Sequence, residues 1–561
     1  MRNSRWKVIP NFILGVVTWA AIPGICHAAS DRFLPTFLVY YGDVVQGDEQ
    51  RLAKYDLLDV TRRNYNQISG NGTQTWGAIK ALNPDIEIYL YELAAEVANF
   101  TDDREVIDLT NLGRYDVSRG HSMGSLNGQH PELFLVDQGG NRMLTGTQGG
   151  DPNKRWHLMD FGHPDYQSYW LQSVLADIVG QPWGADGVFA DNCFSVRFGV
   201  PLPAKYPTYQ AWADAMNSFA SAIATQLHVY NRKVWCNRGN SRWPEGAAAW
   251  IALEASTTPP DLVMEEGAFV SQTGANITQF WSEEHWKRQI DMMGAIAKSR
   301  ITLLSSTHLA PDGSGVDSNQ QPISFWQTLW YSMASVLIGK NDTLNNAYFM
   351  FRSGHNYDQM PWYPEYEHID LGRAMGAYAM DTVGGVNVYR REFEYGYVYV
   401  NPIANGANNI VIAQPVKQLS HDNLLADWST LTSVSSISLA QHHGTVLVKS
   451  AVVDGSQLRQ GEARAELAGN AYEGIALTFA VPPGAETANF RMSGGTGDAD
   501  LYVKHGQEPS ISNPDGGYDC RPYLEGNEET CAIGSPSSGT WHILIYGYSA
   551  FSDVTIEVSY Q

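Results

Sequence analysis

Two short stretches place acids where a reaction would need them. Gly184-Ala185-Asp186-Gly187-Val188-Phe189-Ala190-Asp191-Asn192 reads as a buried strand with a carboxylate at its tip. Asp261-Leu262-Val263-Met264-Glu265-Glu266-Gly267 reads the same way, with two adjacent acids. Cleaving a glycosidic bond needs one carboxyl group to protonate the departing oxygen and a second to attack carbon or activate water. Strand-tip carboxylates facing one cleft can divide those roles when their surroundings push their pKa values apart. Asp191 and Glu266 are therefore the expected catalytic pair. Glu265 is the rival for the second place, because alternation along a strand lets only one of two neighbours face the cleft. Glu266 is preferred for lying nearer the tip and preceding Gly267. The plainer readings stay open: Asp191 as a loop cap, and the two glutamates as surface ion-pair partners.

Other polar side chains fall at the ends of predicted strands. Glu92 follows the third, Asp160 precedes the helix that leads to the central strand, and Asn237 and Arg238 come at the end of the fifth. Arg62 and Asn64 follow the second, His308 the seventh and Arg352 the eighth. Such groups suit hydrogen bonds to sugar hydroxyls, while Tyr40, Tyr41, Trp183 and Trp235 are candidate platforms for the apolar face of a sugar ring. Singly each is more ordinary as a structural residue. Their gathering at strand ends is what marks the set as substrate-binding.

Placing these groups around one cleft requires a particular frame. Beyond the two acidic strands, buried runs recur at 37–41, 55–59, 86–91, 233–237, 301–305 and 347–351. Helical patterns lie between many of them, at 76–82, 164–178, 209–229, 283–297 and 325–338. In 164–178, Tyr166, Tyr169, Trp170, Val174 and Ile178 recur at spacings of three and four. Eight strands largely interleaved with helices is the arithmetic of an α/β fold, the (β/α)8 TIM barrel, whose chemistry sits at the C-terminal ends of its strands. A doubly wound sheet is the rival, but no glycine-rich phosphate loop follows an early strand. Residues 92–159, rich in Gly, Asp and Asn, are too long for an ordinary connection and are expected to build the cleft. After about residue 380 only short β runs follow. The expected division is a barrel over 31–379, a small antiparallel β domain over 380–453, a polar linker over 454–462 and a β-sandwich over 463–561.

Composition narrows the partners. Lys and Arg total 37 against 59 Asp and Glu, a formal charge of -22, so the basic footprint of a nucleic-acid or anionic-membrane binder is missing. The 17 Trp and 29 Tyr fit a sugar cleft as well as they fit a large core. Arg2, Arg5 and Lys7 precede an apolar run over 12–22, and Cys26-His27-Ala28 supplies small-residue cleavage. Residues 1–28 thus read as a secretory signal peptide, too short to span a membrane, and the protein is expected to be extracellular or periplasmic without a membrane anchor. In that oxidising setting Cys520 and Cys531, close in sequence around a polar loop, are expected to form a disulfide. A link between Cys193 and Cys236 is a second option. No Cys/His spacing suggests zinc, and nothing bears on oligomeric state.

Gly120-His121-Ser122-Met123-Gly124 matches the GxSxG nucleophile elbow, which has meaning only between a buried strand and a helix. Neither flank has that pattern, and no HExxH occurs, so esterase and zinc-peptidase readings lose support.

Trp156-His157-Leu158-Met159-Asp160, Pro164, Tyr166 and the stretch 185–192 resemble bacterial glycosidases related to endo-α-1,4-polygalactosaminidases. Arg391-Glu392-Phe393-Glu394-Tyr395-Gly396-Tyr397-Val398-Tyr399-Val400-Asn401-Pro402 resembles the small β domain that follows such barrels. The resemblance covers residues 33–449 and implies a TIM barrel acting on polysaccharide, with Asp191 and Glu266 (or Glu265) at its acidic positions on strands four and six. Gly497-Asp498-Ala499-Asp500-Leu501-Tyr502-Val503, Tyr518-Asp519-Cys520-Arg521-Pro522-Tyr523 and Gly539-Thr540-Trp541 resemble the bacterial pre-peptidase C-terminal domain. That resemblance implies a β-sandwich attached to a secreted enzyme. Asp498 and Asp500 are too few to make a calcium site, so no cofactor is expected and calcium there is only an option. The expectation is a secreted glycoside hydrolase with a polymer or oligosaccharide as substrate. The alternatives are a non-catalytic carbohydrate-binding or cell-surface protein on a barrel, and third a secreted peptidase.

Overall fold

The computed structural model describes residues 32–45, 47–61, 75–98, 131–147, 152, 155–179, 185–197, 201–273, 277–341, 346–354, 357–512 and 516–561. Eight parallel strands form the first sheet: β1 (Phe37–Tyr40), β2 (Leu57–Val60), β3 (Glu87–Leu93), β4 (Gly187–Asp191), β5 (Lys233–Asn237), β6 (Leu262–Glu266), β7 (Arg300–Thr307) and β8 (Ala347–Ser353). They pair in chain order. A parallel bridge between Thr36 and Phe349, with the Phe349 N–H on the Pro35 carbonyl at 2.9 Å, brings β8 back to β1. The sheet is the TIM barrel that the alternation of strands and helices predicts, with strand ends shifted by a few residues.

The helices obey local rules. α1 (Thr75–Leu82), α2 (Pro164–Ile178), α3 (Tyr209–His228), α4 (Pro244–Glu254), α5 (Glu283–Ala295) and α6 (Phe325–Gly339) lie between strands. Thr208 and Ser324 cap α3 and α6 by accepting the N–H of Ala211 and Gln327, each at 3.1 Å. Pro164 and Pro244 stand in first turns, where a missing N–H costs nothing. The sequence pattern offers no expectation for α4, because Gly246 and the alanines at 247–249 dilute its period. α6 is apolar nearly all round, since it is wedged between the barrel and the next sheet: Gly444 of that sheet packs so closely that a Cβ would stand 2.8 Å from the Trp330 carbonyl.

Inside the barrel the core is aromatic. Trp235 is fully buried, with Phe37, Tyr89 and Phe189 at centroid distances of 5.5, 5.3 and 4.9 Å, and its indole N–H donates to Thr302 at 2.9 Å. It fills the barrel and does not serve as a sugar platform. At the C-terminal mouth, Glu96–Ala98, Leu144–Thr147 and Arg155–Leu158 form a three-stranded antiparallel sheet after β3. Two hairpins add to this face, Val270–Thr273 with Ile277–Phe280 and Ser314–Val316 with Pro322–Ser324.

After the barrel come β9 (Ala379–Val383), β10 (Val386–Glu392), β11 (Gly396–Asn401), β12 (Ala407–Leu419), β13 (Ser433–Leu439) and β14 (His443–Lys449), an antiparallel sheet in the order β9-β10-β11-β14-β12-β13. The last part holds β15 (Gln457–Leu458), β16 (Ala463–Gly469), β17 (Gly474–Val481), β18 (Thr487–Ser493), β19 (Ala499–His505), β20 (Glu529–Gly534), β21 (Gly539–Gly547) and β22 (Phe551–Tyr560). They make two four-stranded sheets, β15-β17-β21-β19 and β16-β22-β18-β20, around one apolar core. β15 lies inside the stretch 454–462 expected as linker, so that stretch supplies an edge strand of the sandwich. Cys520 and Cys531 are disulfide-bonded, whereas Cys193 and Cys236 are buried and unlinked. Among the described residues no helix is long and apolar enough to cross a membrane. The stretch 1–28 expected as a signal peptide and the GxSxG match at 120–124 lie outside the described residues.

Candidate active site

β4, β5 and β6 bring three side chains together at the mouth of the barrel. β4 lies hard against β5 because Gly187 has no Cβ; one there would stand 2.1 Å from the Lys233 carbonyl. Asp191 ends β4, Asn237 ends β5 and Glu266 ends β6. The side-chain amide of Asn237 donates to both acids, 2.9 Å from Asp191 Oδ1 and 3.2 Å from Glu266 Oε2. Those two oxygens are thus no further apart than two hydrogen-bond lengths laid end to end.

Each carboxylate has further donors. Asp191 is half-buried; its Oδ2 accepts the Tyr91 hydroxyl at 2.7 Å and its Oδ1 the Asn192 N–H at 2.8 Å. Burial, and then the charge of Glu266, push the Asp191 carboxyl above its ordinary range, against the pull of the Tyr91 and Asn237 hydrogen bonds. Glu266 is exposed on the cleft side, with its Oε1 taking the Tyr357 hydroxyl and lying 3.7 Å from the Arg352 guanidinium. Arg352 is 2 % exposed and lies over the Tyr357 ring at 3.5 Å, so this cation supports both Glu266 and its donor. Gly267 follows at a φ of +81°, a left-handed turn that lets β6 end directly after the acid. Behind Asp191, the Asn192 amide donates to Glu96 at 3.1 Å. Burial pushes the Glu96 carboxyl up to about 7, although the Arg197 charge opposes it.

The other expected site residues separate into those near the pair and those turned away. Glu265 is fully buried on the opposite face of β6, where its Oε2 accepts the Ser241 N–H at 2.7 Å and Arg242 stands 3.7 Å away. Burial pushes its carboxyl up, with Arg242 opposing. Arg238 is also fully buried, donating to the Cys193 carbonyl at 3.1 Å and to Asn217 at 2.6 Å; it locks loops together and faces no cleft. Tyr40 is 3 % exposed with its hydroxyl on the Asp43 carbonyl at 2.6 Å, because alternation along β1 turns it outward and leaves Tyr41 at the site. Glu92 is buried on the face of β3 away from Tyr91, close enough to helix α2 for its charge to act on Tyr166. Asp160 is buried between Lys205 and the Tyr206 hydroxyl, each at 2.5 Å. His308 is held by Thr278 at 2.6 Å. Arg62, Asn64 and Trp183 lie outside the described residues.

Sequence reasoning did not single out Tyr91, Asn192 or Tyr357 for the site. Alternation from Tyr89 along β3 could have found Tyr91; Tyr357 lies in a loop with no such signal. Two carboxylates joined by a shared donor, one half-buried and one open to solvent, can hold one proton between them and so supply an acid and a base or nucleophile at once.

Residues 80–397 match the family described as hypothetical glycosyl hydrolase family 15, and residues 477–547 match the bacterial pre-peptidase C-terminal domain. The chain is 41% identical over 102 residues to the neutral protease of Vibrio proteolyticus, covering 18% of this chain and 16% of that protein. It is 44% identical over 70 residues to alkaline serine exoprotease A of Vibrio alginolyticus, covering 12% of each. Among solved structures, the isomalto-dextranase of Arthrobacter globiformis T6 complexed with panose is 11% identical over 94% of this chain and 96% of that one, with a TM-score of 0.34.

Proposed function

This chain belongs to hypothetical glycosyl hydrolase family 15, and from that premise we propose that it is a secreted glycoside hydrolase in which Asp191 and Glu266 cleave a poly- or oligosaccharide. The observation that carries the reading is the single amide of Asn237 bonded to both acids. Retaining enzymes hold their carboxyl groups about 5–5.5 Å apart and inverting ones about 6.5–9.5 Å. The shared donor keeps the nearest oxygens of the two acids within two hydrogen-bond lengths, which favours the closer, retaining arrangement. Asp191 is the nucleophile, since three donors fix its two oxygens. Glu266 is the acid and base, since it lies exposed where a leaving group departs and water enters. Its proton passes to the glycosidic oxygen as Asp191 forms an ester with the anomeric carbon. The Glu266 carboxylate then takes a proton from water, which breaks that ester and returns both acids to their first state. With the proton on Glu266, the charge that raises the Asp191 pKa is gone, and Asp191 ionises more readily.

The resemblance to endo-α-1,4-polygalactosaminidases puts amino-sugar polymers first among substrates. The Vibrio proteases share only 102 and 70 residues with this chain, so their names lend a peptidase reading little. The test is a panel of polysaccharides, amino-sugar polymers included, assayed for new reducing ends, followed by aryl glycosides of the sugar that reacts. Asp191→Asn should lose about 10²-fold or more on every substrate. Glu266→Gln should lose as much on the polymer but keep its first step on an aryl glycoside with a good leaving group, and azide should restore turnover with retained configuration. The opposite pattern exchanges the two roles. Wild-type rates for both variants sink the site, and sugar binding without turnover favours a binding protein.

A further inference from the structure

Beneath the two acids lies a third that does not reach the cleft. Asp59 of β2 is fully buried. Its register sets it beside Val39 of β1 and Tyr89 of β3, one layer of the barrel below Tyr91. Its Oδ2 accepts the Tyr41 hydroxyl at 2.7 Å, and its Oδ1 has no hydrogen-bond partner among the described residues. A carboxyl group held this way in an aromatic interior is costly to the fold, and an apolar side chain would fill the space at less cost. What it provides is a fixed position for Tyr41.

Tyr41 is the residue on which the site's two tyrosines converge. Its ring centroid lies 5.1 Å from that of Tyr91 and 5.1 Å from that of Tyr357. Its backbone N–H donates to the Tyr357 carbonyl at 2.7 Å. Tyr91 gives its hydroxyl to Asp191 and Tyr357 gives its own to Glu266. We propose that Asp59 and Tyr41 are a positioning pair, in which the buried carboxyl anchors one ring and that ring sets the hydroxyls holding both catalytic carboxylates. The proposal rests on the glycosidase reading of Asp191 and Glu266. Asp59 touches no substrate and acts only through Tyr41. Burial holds its carboxyl well above the usual range; the Tyr41 hydrogen bond opposes this and the Asp191 charge reinforces it.

The experiment compares Tyr41→Phe, Asp59→Asn, Asp59→Leu and the double variant Tyr41→Phe/Asp59→Leu, by kinetics and by crystal structure. Replacing both partners by apolar groups removes the hydrogen bond without stranding either, so the double variant keeps a folded protein to measure. Tyr41→Phe, Asp59→Leu and the double variant should lower kcat about 10-fold or more with KM within about twofold, because a small misplacement of reacting groups costs rate and not binding. Asp59→Asn, which still meets the Tyr41 hydroxyl, should restore most of the rate. The crystal structures should show the Tyr91 and Tyr357 hydroxyls drawn off Asp191 and Glu266 in Tyr41→Phe, Asp59→Leu and the double variant, and in place in Asp59→Asn. Hydroxyls that stay in place, or a kcat that stays at the wild-type value when they move, overturns the proposal. If the wild type cleaves no glycan, the glycosidase reading falls, while the crystal structures still decide whether Tyr41 positions the two hydroxyls.

Discussion

Asn237 holds both acids through one nitrogen, so its chemistry sets how strongly they couple. Asn237→Asp replaces a shared donor with a third negative charge and should raise the pKa of Asp191 further. The acidic limb of the pH–rate profile follows ionisation of Asp191. That limb should therefore move to higher pH while kcat falls; a limb that stays in place or moves to lower pH contradicts this arrangement. Glu265→Gln should leave kcat within a few-fold of wild type, since its carboxyl faces Ser241 and Arg242 behind the strand. A loss of about 10²-fold there, with Glu266→Gln spared, would give the second role to Glu265. Asp191, Asn237 and Glu266 were legible because each closes a strand in the sequence. Arg238, Tyr40 and Trp235 were misread because a strand end does not say which way a side chain turns, and one residue of alternation sends it into the core. Asp59 left a signal that went unused, a lone acid in the apolar run Leu57-Leu58-Asp59-Val60. Tyr357 left none, since its tie to Glu266 spans 91 positions of chain.

The barrel strands were legible as elements because each is a short apolar run closed by polar or turn residues, and a fully buried parallel strand has to be so. α4 was not, because its run of glycine and alanines dilutes the apolar period that marks a helix with one buried face. The edge strands Gln457–Leu458 and Ala463–Gly469 were equally faint: short polar pieces become strands only when a neighbour offers its hydrogen bonds. The Cys520–Cys531 link was legible from two cysteines 11 positions apart around a polar loop. It ties the loop after β19 to β20, where Cys520 also bridges Val503. Opening a loop of that length removes about 2–3 kcal/mol on chain-entropy grounds. Cys520→Ser/Cys531→Ser should lower the stability of the sandwich by that amount, read from its denaturant midpoint, and leave the unfolding of the barrel where it was. A barrel transition that drops equally would mean that the two parts unfold together.

Across the whole molecule the barrel, the six-stranded sheet and the sandwich meet around the turn after β10. The Gln457 side chain donates to the Glu394 carbonyl at 2.8 Å, the Gln460 N–H to the Tyr395 hydroxyl at 2.8 Å, and the Tyr560 hydroxyl to Glu394 Oε2 at 3.1 Å. Glu394 is 1 % exposed and also accepts the Arg373 N–H at 2.6 Å. Burial pushes its carboxyl up to about 7, against the pull of the Arg373 N–H and the Tyr560 hydroxyl. A carboxyl whose folded pKa lies above its unfolded value binds its proton more tightly in the folded protein. The stability this gives is whole below the unfolded carboxylate range and is lost as pH rises towards about 7. Wild type should therefore lose stability relative to Glu394→Gln over that interval, and the gap should stay constant above it. A truncation ending at Val453 takes away Tyr560 and opens Glu394 to water. It should fold on the barrel's own core, stay active on short oligosaccharides and show no such gap, because a solvated Glu394 regains an ordinary pKa. Thermal unfolding of wild type and Glu394→Gln, each in full-length and truncated form, between about pH 4 and 8 decides it. A gap that survives the truncation would place the cause in burial by the remaining parts and in the charge of Asp370, and not in the seam with the sandwich.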